Sequence, residues 1–160
     1  MNVETVTVDG LLRDTAKLIS ADAAKRKTTL STHFSDGLPE IQADRIQLQQ
    51  VLVNLIVNGM DAMAGSPLGV RRIILAASVI DGVVQISVSD AGTGIAPAQL
   101  AMIFQPFYTS KRGGLGLGLA ISQSIIQAHG GMLLVENNVD RGVTATIRLP
   151  VHTPMETLPA

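Results

Sequence analysis

Three clusters in this chain combine residue types and spacings that can do chemistry. Asn54, Asn58 and Asp61 are spaced four and three apart, which puts them on one stripe of a helix, the two Asn about 6 Å apart along the axis. They interrupt an apolar pattern of Leu52, Leu55 and Met63. Such a stripe can be a polar edge facing solvent, or a wall facing a ligand, since an Asn oxygen is a hard ligand suited to Mg²⁺. The second cluster is Asp90-Ala91-Gly92-Thr93-Gly94. Its carboxylate can accept from an exocyclic amine, and Gly92 and Gly94 let backbone approach a flat ring. An ordinary glycine turn would read the same way. The third is Gly113-Gly114-Leu115-Gly116-Leu117-Gly118-Leu119, preceded by Lys111 and Arg112. Exposed N–H groups beside a helix N-terminus, with two cations, suit an anion, though a flexible surface loop is the alternative. Two other phosphate motifs fail: Ile121 stands where the dinucleotide fingerprint needs Gly or Ala, and Leu119 where the P-loop needs Lys.

The elements that must hold these clusters follow from periodicity. Val8–Lys27 reads as a helix with Asp9 as N-cap and a stripe of Leu11, Leu12, Ala16, Ile19 and Ala23. Thr28–Phe34 and Ile41–Ala43 read as short strands. Asp44 reads as the N-cap of a long helix to about Ala64, burying Ile46, Val51, Leu52, Leu55, Ile56, Ala62 and Met63. Arg72–Ile80 and Val83–Asp90 form a hairpin about Asp81-Gly82, a pair suited to a type I′ turn. Val84, Ile86 and Val88 alternate with Gln85, Ser87 and Ser89, one face buried and one polar. Ala91–Gly118 holds six glycines, two prolines and one short helix, Pro97–Phe104, and a stretch this long and irregular usually serves a site. A helix over Gly118–His129 and strands over Met132–Glu136 and Thr144–Leu149 complete the domain. Strands in hairpin-like pairs predict an α+β two-layer sandwich, a mostly antiparallel mixed sheet covered on one face by helices.

The chain has 160 residues, enough for one domain, spanning 1–152, with 153–160 as a flexible tail. Net charge is −1 from 12 basic and 13 acidic side chains, so nothing argues for nucleic acid or an anionic membrane. Without cysteine there is no disulfide framework or thiolate zinc site. No apolar run approaches the ~20 residues of a spanning helix, and a cytoplasmic location without direct membrane contact is expected.

The order and spacing of the clusters resemble the catalytic domain of sensor histidine kinases, in the ATPase/kinase superfamily shared with DNA gyrase and the Hsp90 chaperones. "DRIQLQQVLVNLIVNGMDAM" at 44–63 is similar to the family's N box, and "DAGTGI" at 90–95 to its first glycine box. "IFQPFYTSK" at 103–111 resembles the F box, and "GGLGLGLAIS" at 113–122 the second glycine box. "GVTATIRLP" at 142–150 resembles the closing strand. The details are closest to the nitrogen-regulation and oxygen-sensing nitrogen-fixation branch. The resemblance implies a Bergerat fold that binds ATP with Mg²⁺ and transfers phosphate to a histidine in two-component signalling. It implies that Asp90 binds the adenine amine, with Gly92, Gly94 and Ile95 lining the base pocket. Asn58 would hold Mg²⁺, with Asn54 and Asp61 on the same wall. Gly114, Gly116 and Gly118 would wrap the triphosphate, with Leu115, Leu117 and Leu119 beside them, in a lid over about 92–117. Lys111 or Arg112 would meet the γ-phosphate, Lys111 with a catalytic role beside Asn58, and Thr144 would reach the pocket floor.

Related hydrolases carry a Glu where Asn54 stands, and an amide cannot activate water, so transfer is favoured over hydrolysis. The accepting histidine of such kinases lies in a His-Glu-x-x-Asn context on a dimerising helical hairpin, which His33, His129 and His152 lack. The expectation is a monomeric fragment that binds ATP and does not phosphorylate itself. Its partners would be the dimerisation domain of the same kinase and, through it, a response regulator. A regulatory pseudokinase and an anti-sigma-type serine kinase are the alternatives. Two departures are mild: Gly59 replaces the usual Ala, costing helix stability where exposed, and Gln105 replaces a common Glu.

Overall fold

The computed structural model describes residues 1–106 and 118–151. Its order is β1 (Glu4–Thr7), α1 (Val8–Lys25), β2 (Thr29–Phe34), β3 (Glu40–Ala43), α2 (Arg45–Ala62), β4 (Arg72–Ile80), β5 (Val83–Asp90), α3 (Pro97–Leu100), α4 (Gly118–Ala128), β6 (Met132–Asn137) and β7 (Val143–Pro150), with a 3₁₀ turn at Leu68–Val70. The main sheet runs β2-β4-β5-β7-β6. Only β2–β4 is parallel; the three other pairings are antiparallel. This is the mixed, mostly antiparallel sandwich that the hairpin pattern predicts.

Strand alternation sorts the two faces of the sheet. Ile73, Leu75 and Ala77 of β4, Val84, Ile86 and Val88 of β5, and Ala145, Ile147 and Leu149 of β7 are buried against the helices. The residues between them form the opposite, open face. The β4–β5 hairpin turns through Asp81 and Gly82, both with positive φ (51° and 74°), as a type I′ turn requires.

Helix α2 begins as expected: Asp44 accepts from the Gln47 N–H at 3.1 Å and from the Asn2 N–H at 2.8 Å. These bonds hold the Asp44 carboxyl below its ordinary pKa. Its buried face differs from the sequence reading. Leu48, Val51, Leu52, Leu55, Ile56, Gly59 and Met60 are inside, with Met63 just beyond the helix. Ile46 is 79% exposed, and Ala62 is exposed too. Ile46 lies about 180–200° around the helix from Leu48 and Leu55, whereas Ala62 is in phase with Leu55 but is the last residue of α2. Helix α1 also starts earlier than its presumed cap. Thr7 occupies the N-cap position without a side-chain bond, and Asp9 sits inside the first turn, where its charge still suits the helix dipole.

Strand β1 was not foreseen. It pairs antiparallel with β3, Val6 opposite Ile41. Four residues with one buried side chain carry too little pattern, and the partner lies far along the chain. Among the described residues no helix is long and apolar enough to cross a membrane.

Candidate functional site

Asp90 closes β5 in phase with Val88, so its side chain points to the helix layer. Its Oδ1 accepts from the Gly92 N–H at 2.8 Å and the Val143 N–H at 3.2 Å. Among the described residues Oδ2 has no hydrogen-bond donor, and it lies beside Gly59 of α2. Burial pushes the Asp90 carboxyl above its ordinary pKa, opposed by the two N–H bonds. The carboxylate is thus held by one oxygen and offers the other.

Close backbone approach makes this geometry. A Cβ on Gly59 would stand 2.7 Å from Ile73 Cδ1 and 3.2 Å from Asp90 Cβ, so its glycine sits at a buried contact and not on an exposed helix face. Gly59→Ala should cost about 1 kcal/mol or more through crowding, despite the better helix propensity of Ala. Ile73→Val removes the obstructing methyl, so Gly59→Ala with Ile73→Val should be more stable than the two single effects add up to, by roughly 1 kcal/mol. Urea denaturation of the four proteins measures this; simple additivity would show that Ile73 is not what limits the site.

The α2 stripe is half-buried at Asn54, Asn58 and Asp61, so it forms a wall, not an open edge. Asn54 Nδ2 donates to Ser122 Oγ of α4 at 3.1 Å. Gly118, opening α4, is packed so tightly on this amide that a Cβ there would lie 2.8 Å from Asn54 Oδ1. Asn58 lies one turn on, facing the same side. Asp61 is at the rim, ion-paired with Arg26 at 2.6 Å, an exposed pair worth at most about 1 kcal/mol. Gly92 backs onto the end of this helix, and Leu119 packs against the core.

Thr144 corrects the sequence reading. It is paired in register with Ser89, one residue out of phase with Asp90. Its Oγ1 lies 2.9 Å from Ser89 Oγ and donates to Asn138 Oδ1 at 2.5 Å, on the open face. Val143, through its N–H, is the β7 residue that reaches Asp90. A cavity of about 590 Å³ on that open face is lined by Ile74, Ser89, Glu136 and Thr144, which share one cross-strand row. Asp90 and the β6–β7 turn residues Asn137, Asn138 and Arg141 also line it.

Sequence reasoning missed the turn between β6 and β7. Asn137 bonds both backbone groups of Ile95, and Asn138 and Arg141 bond the carbonyls of Asp90 and Ala91. Consecutive asparagines ending a strand were the available signal. Lys111, Arg112, Gly114, Leu115, Gly116 and Leu117 lie outside the described residues, as do Phe107, Tyr108, His152 and the tail. His33 is exposed on β2. His129 accepts from the Asp44 N–H at Nε2 (3.0 Å), which leaves Nδ1 to donate to the Ile125 carbonyl at 2.7 Å. Both ring nitrogens serve the fold.

Comparison with known proteins gives the family and the fold. Residues 43–153 match the family described as histidine kinase-, DNA gyrase B- and HSP90-like ATPase. Sensor histidine kinase ZraS of Escherichia coli (strain K12) is 41% identical over 151 residues, covering 94% of this chain and 31% of ZraS. The chain thus spans about a third of the length of the curated relatives it matches. The nucleotide-free catalytic domain of histidine kinase ThkA superposes with a TM-score of 0.84 at 28% identity, covering 94% of this chain and 97% of that one. Full-length ShkA in complex with AMPPNP gives 0.84 at 34% identity, over 96% of this chain and 32% of that one. By sequence and by fold, the chain belongs to the histidine kinase-, DNA gyrase B- and HSP90-like ATPase family, with the Bergerat fold of the histidine kinase catalytic domains on which it superposes.

Proposed function

We propose that this domain binds Mg-ATP and donates the γ-phosphoryl group to a histidine on a separate dimerisation domain, from which a response regulator is phosphorylated. The observation that carries it is the Asp90 carboxylate, fixed through Oδ1 by two backbone N–H groups while Oδ2 faces the gap beside α2. A lone carboxylate oxygen at a site walled by glycine backbone suits an exocyclic amine on a flat base. The Asn54–Asn58 wall and the N-terminus of α4 then stand on the phosphate side, and Gly114, Gly116, Lys111 and Arg112 would complete that end.

Among the described residues no cluster of three His, Asp or Glu could hold a metal. Mg²⁺ takes one or two protein ligands and completes its shell with phosphates and water, and the half-buried Asn58 amide on the α2 wall offers one hard oxygen. Asn58 is the candidate protein ligand; the ion, when bound, neutralises charge on the phosphates. Asn54 is an amide already engaged with Ser122, so it supplies no general base for water, and the site favours transfer to an external nucleophile.

Calorimetric titration with a non-hydrolysable ATP analogue tests the reading. Wild type should bind in a magnesium-dependent way. Asn58→Ala should lose roughly tenfold or more of that magnesium-dependent affinity, the size of one charge-assisted contact. With labelled ATP and an added dimerisation domain of a related kinase, acid-labile phosphate should appear on that domain and none on this chain. Acid-stable phosphate on a serine substrate would point instead to the anti-sigma type, and binding without any transfer to a pseudokinase.

A further inference from the structure

The turn joining β6 to β7 takes hold of the first glycine box at three backbone positions. Asn137 grips Ile95 from both sides: Oδ1 accepts from the Ile95 N–H at 2.8 Å, and Nδ2 donates to the Ile95 carbonyl at 2.7 Å. Asn138 Nδ2 reaches the Asp90 carbonyl at 3.1 Å, Ser89 Oγ at 3.2 Å and the Arg141 carbonyl at 3.0 Å. Its Oδ1 is held in turn by Thr144. Arg141 Nε donates to the Ala91 carbonyl at 2.5 Å, and its guanidinium also reaches Ser66 Oγ at 3.1 Å. The turn is closed by the Asn138 N–H on the Gly142 carbonyl at 2.8 Å.

All three side chains bond main-chain atoms of residues 90, 91 and 95, beyond the point where β5 has strand partners on both sides. None of these bonds involves the Asp90 carboxylate itself. What they set is the path of the backbone that carries Asp90, Gly92 and Gly94, and hence where Oδ2 and the glycine wall stand. A shift of a few tenths of an ångström here changes the angle at which a base amine meets Oδ2, while leaving the α2 and α4 end untouched.

We propose that Asn137, Asn138 and Arg141 are positioning residues for the base end of the nucleotide site, and that selectivity for adenine over guanine depends on them. This rests on the reading of Asp90 as the base-binding carboxylate. A merely structural turn would alter stability alone; a positioning turn alters base binding and spares phosphate binding.

The experiment titrates the chain and its Asn137→Ala and Asn138→Ala variants, with Mg²⁺, against non-hydrolysable ATP and GTP analogues and against inorganic tripolyphosphate. Each variant should bind the ATP analogue about three- to tenfold more weakly, as expected for losing ordinary hydrogen bonds, exposed at Asn137 and part-buried at Asn138, that fix the backbone of the site. Its preference for ATP over GTP analogue should shrink, and tripolyphosphate affinity should stay within about twofold of wild type. If an alanine variant does not fold, Asn137→Asp keeps the acceptor for the Ile95 N–H but sets a carboxylate oxygen against the Ile95 carbonyl, and should show the same pattern at least as strongly. Unchanged selectivity in folded variants, or an equal loss for all three ligands, overturns the proposal. Asp90→Asn separates the two ideas: if it binds the ATP analogue as wild type does, the reading of Asp90 itself fails. If Asp90→Asn loses binding while the turn variants keep it, only the positioning role falls.

Discussion

Asp90→Asn should abolish most nucleotide binding while leaving the domain folded and at least as stable at neutral pH. The substitution keeps one side-chain oxygen, and the Gly92 and Val143 N–H groups hold it in place of Oδ1. The other atom becomes an amide nitrogen, a donor facing a donor. Losing a hydrogen bond to a charged group corresponds to ~1.5–3 kcal/mol, or roughly 10- to 150-fold in affinity. Stability moves the other way because burial raises the pKa of the native carboxyl. The folded state binds that proton more tightly than the unfolded chain. Asp90 therefore favours folding at pH below its ordinary carboxylate value, and this contribution is lost as pH rises through the raised folded value. Asparagine carries no such loss, so the variant should gain on wild type across that window. Nucleotide binding, which uses the ionised form, should weaken in wild type as pH falls through the raised value. Calorimetry and thermal melts at several pH values measure both. A variant that binds normally, or that melts well below wild type, would sink the assignment of Asp90 to the ligand.

Gly142→Ala should be the most damaging single-methyl change outside the hydrophobic core. Gly142 has φ +88°, where an L side chain is strained. An added Cβ would overlap the Asp90 carbonyl and crowd its Oδ1. The obstruction is backbone in the central strand, so no rotamer change relieves it. Left-handed strain and overpacking each cost about 1–3 kcal/mol, together ~3 kcal/mol or more, which lowers the melting temperature of a domain this size by roughly 6–12 °C. Gly82→Ala is the matched control. Its φ is +74° but nothing lies within 4 Å of the added methyl, so it carries the strain without the overlap. Equal melting temperatures for the two variants would show that the approach of β7 to Asp90 is looser than described. Because Gly142 leads into the Val143 N–H bond, its variant should also lose nucleotide affinity, while Gly82→Ala should not.

The local elements were legible because their signals are local. Alternation in Val84, Ile86 and Val88 defines the buried face of β5, Asp81-Gly82 specifies its hairpin, and Asp44 caps α2 through a bond three residues away. The two Asn of α2, Asp90 and the glycine runs could be read as chemistry for the same reason: residue type and spacing along a helix or at a strand end restrict what they can face. Whether those groups converge was a tertiary question. Gly59 reads as a weak point in a helix until Ile73 and Asp90 are brought against it. Thr144 reads as a pocket residue until the register with Ser89 turns it to the other face, since a one-residue phase decides the side of a sheet. Ile46 looks apolar and buried, yet helix phase leaves it in solvent. The Asn137-Asn138-Arg141 turn carried no hydrophobic pattern, and its partners lie more than 40 residues away along the chain. Most of the elements, the family and the residue types at the site could be read from the residues alone, β1 excepted. Only the folded chain decided which faces meet, because hydrogen bonds to distant main-chain atoms and contacts at glycine leave no periodic trace in the residues that make them.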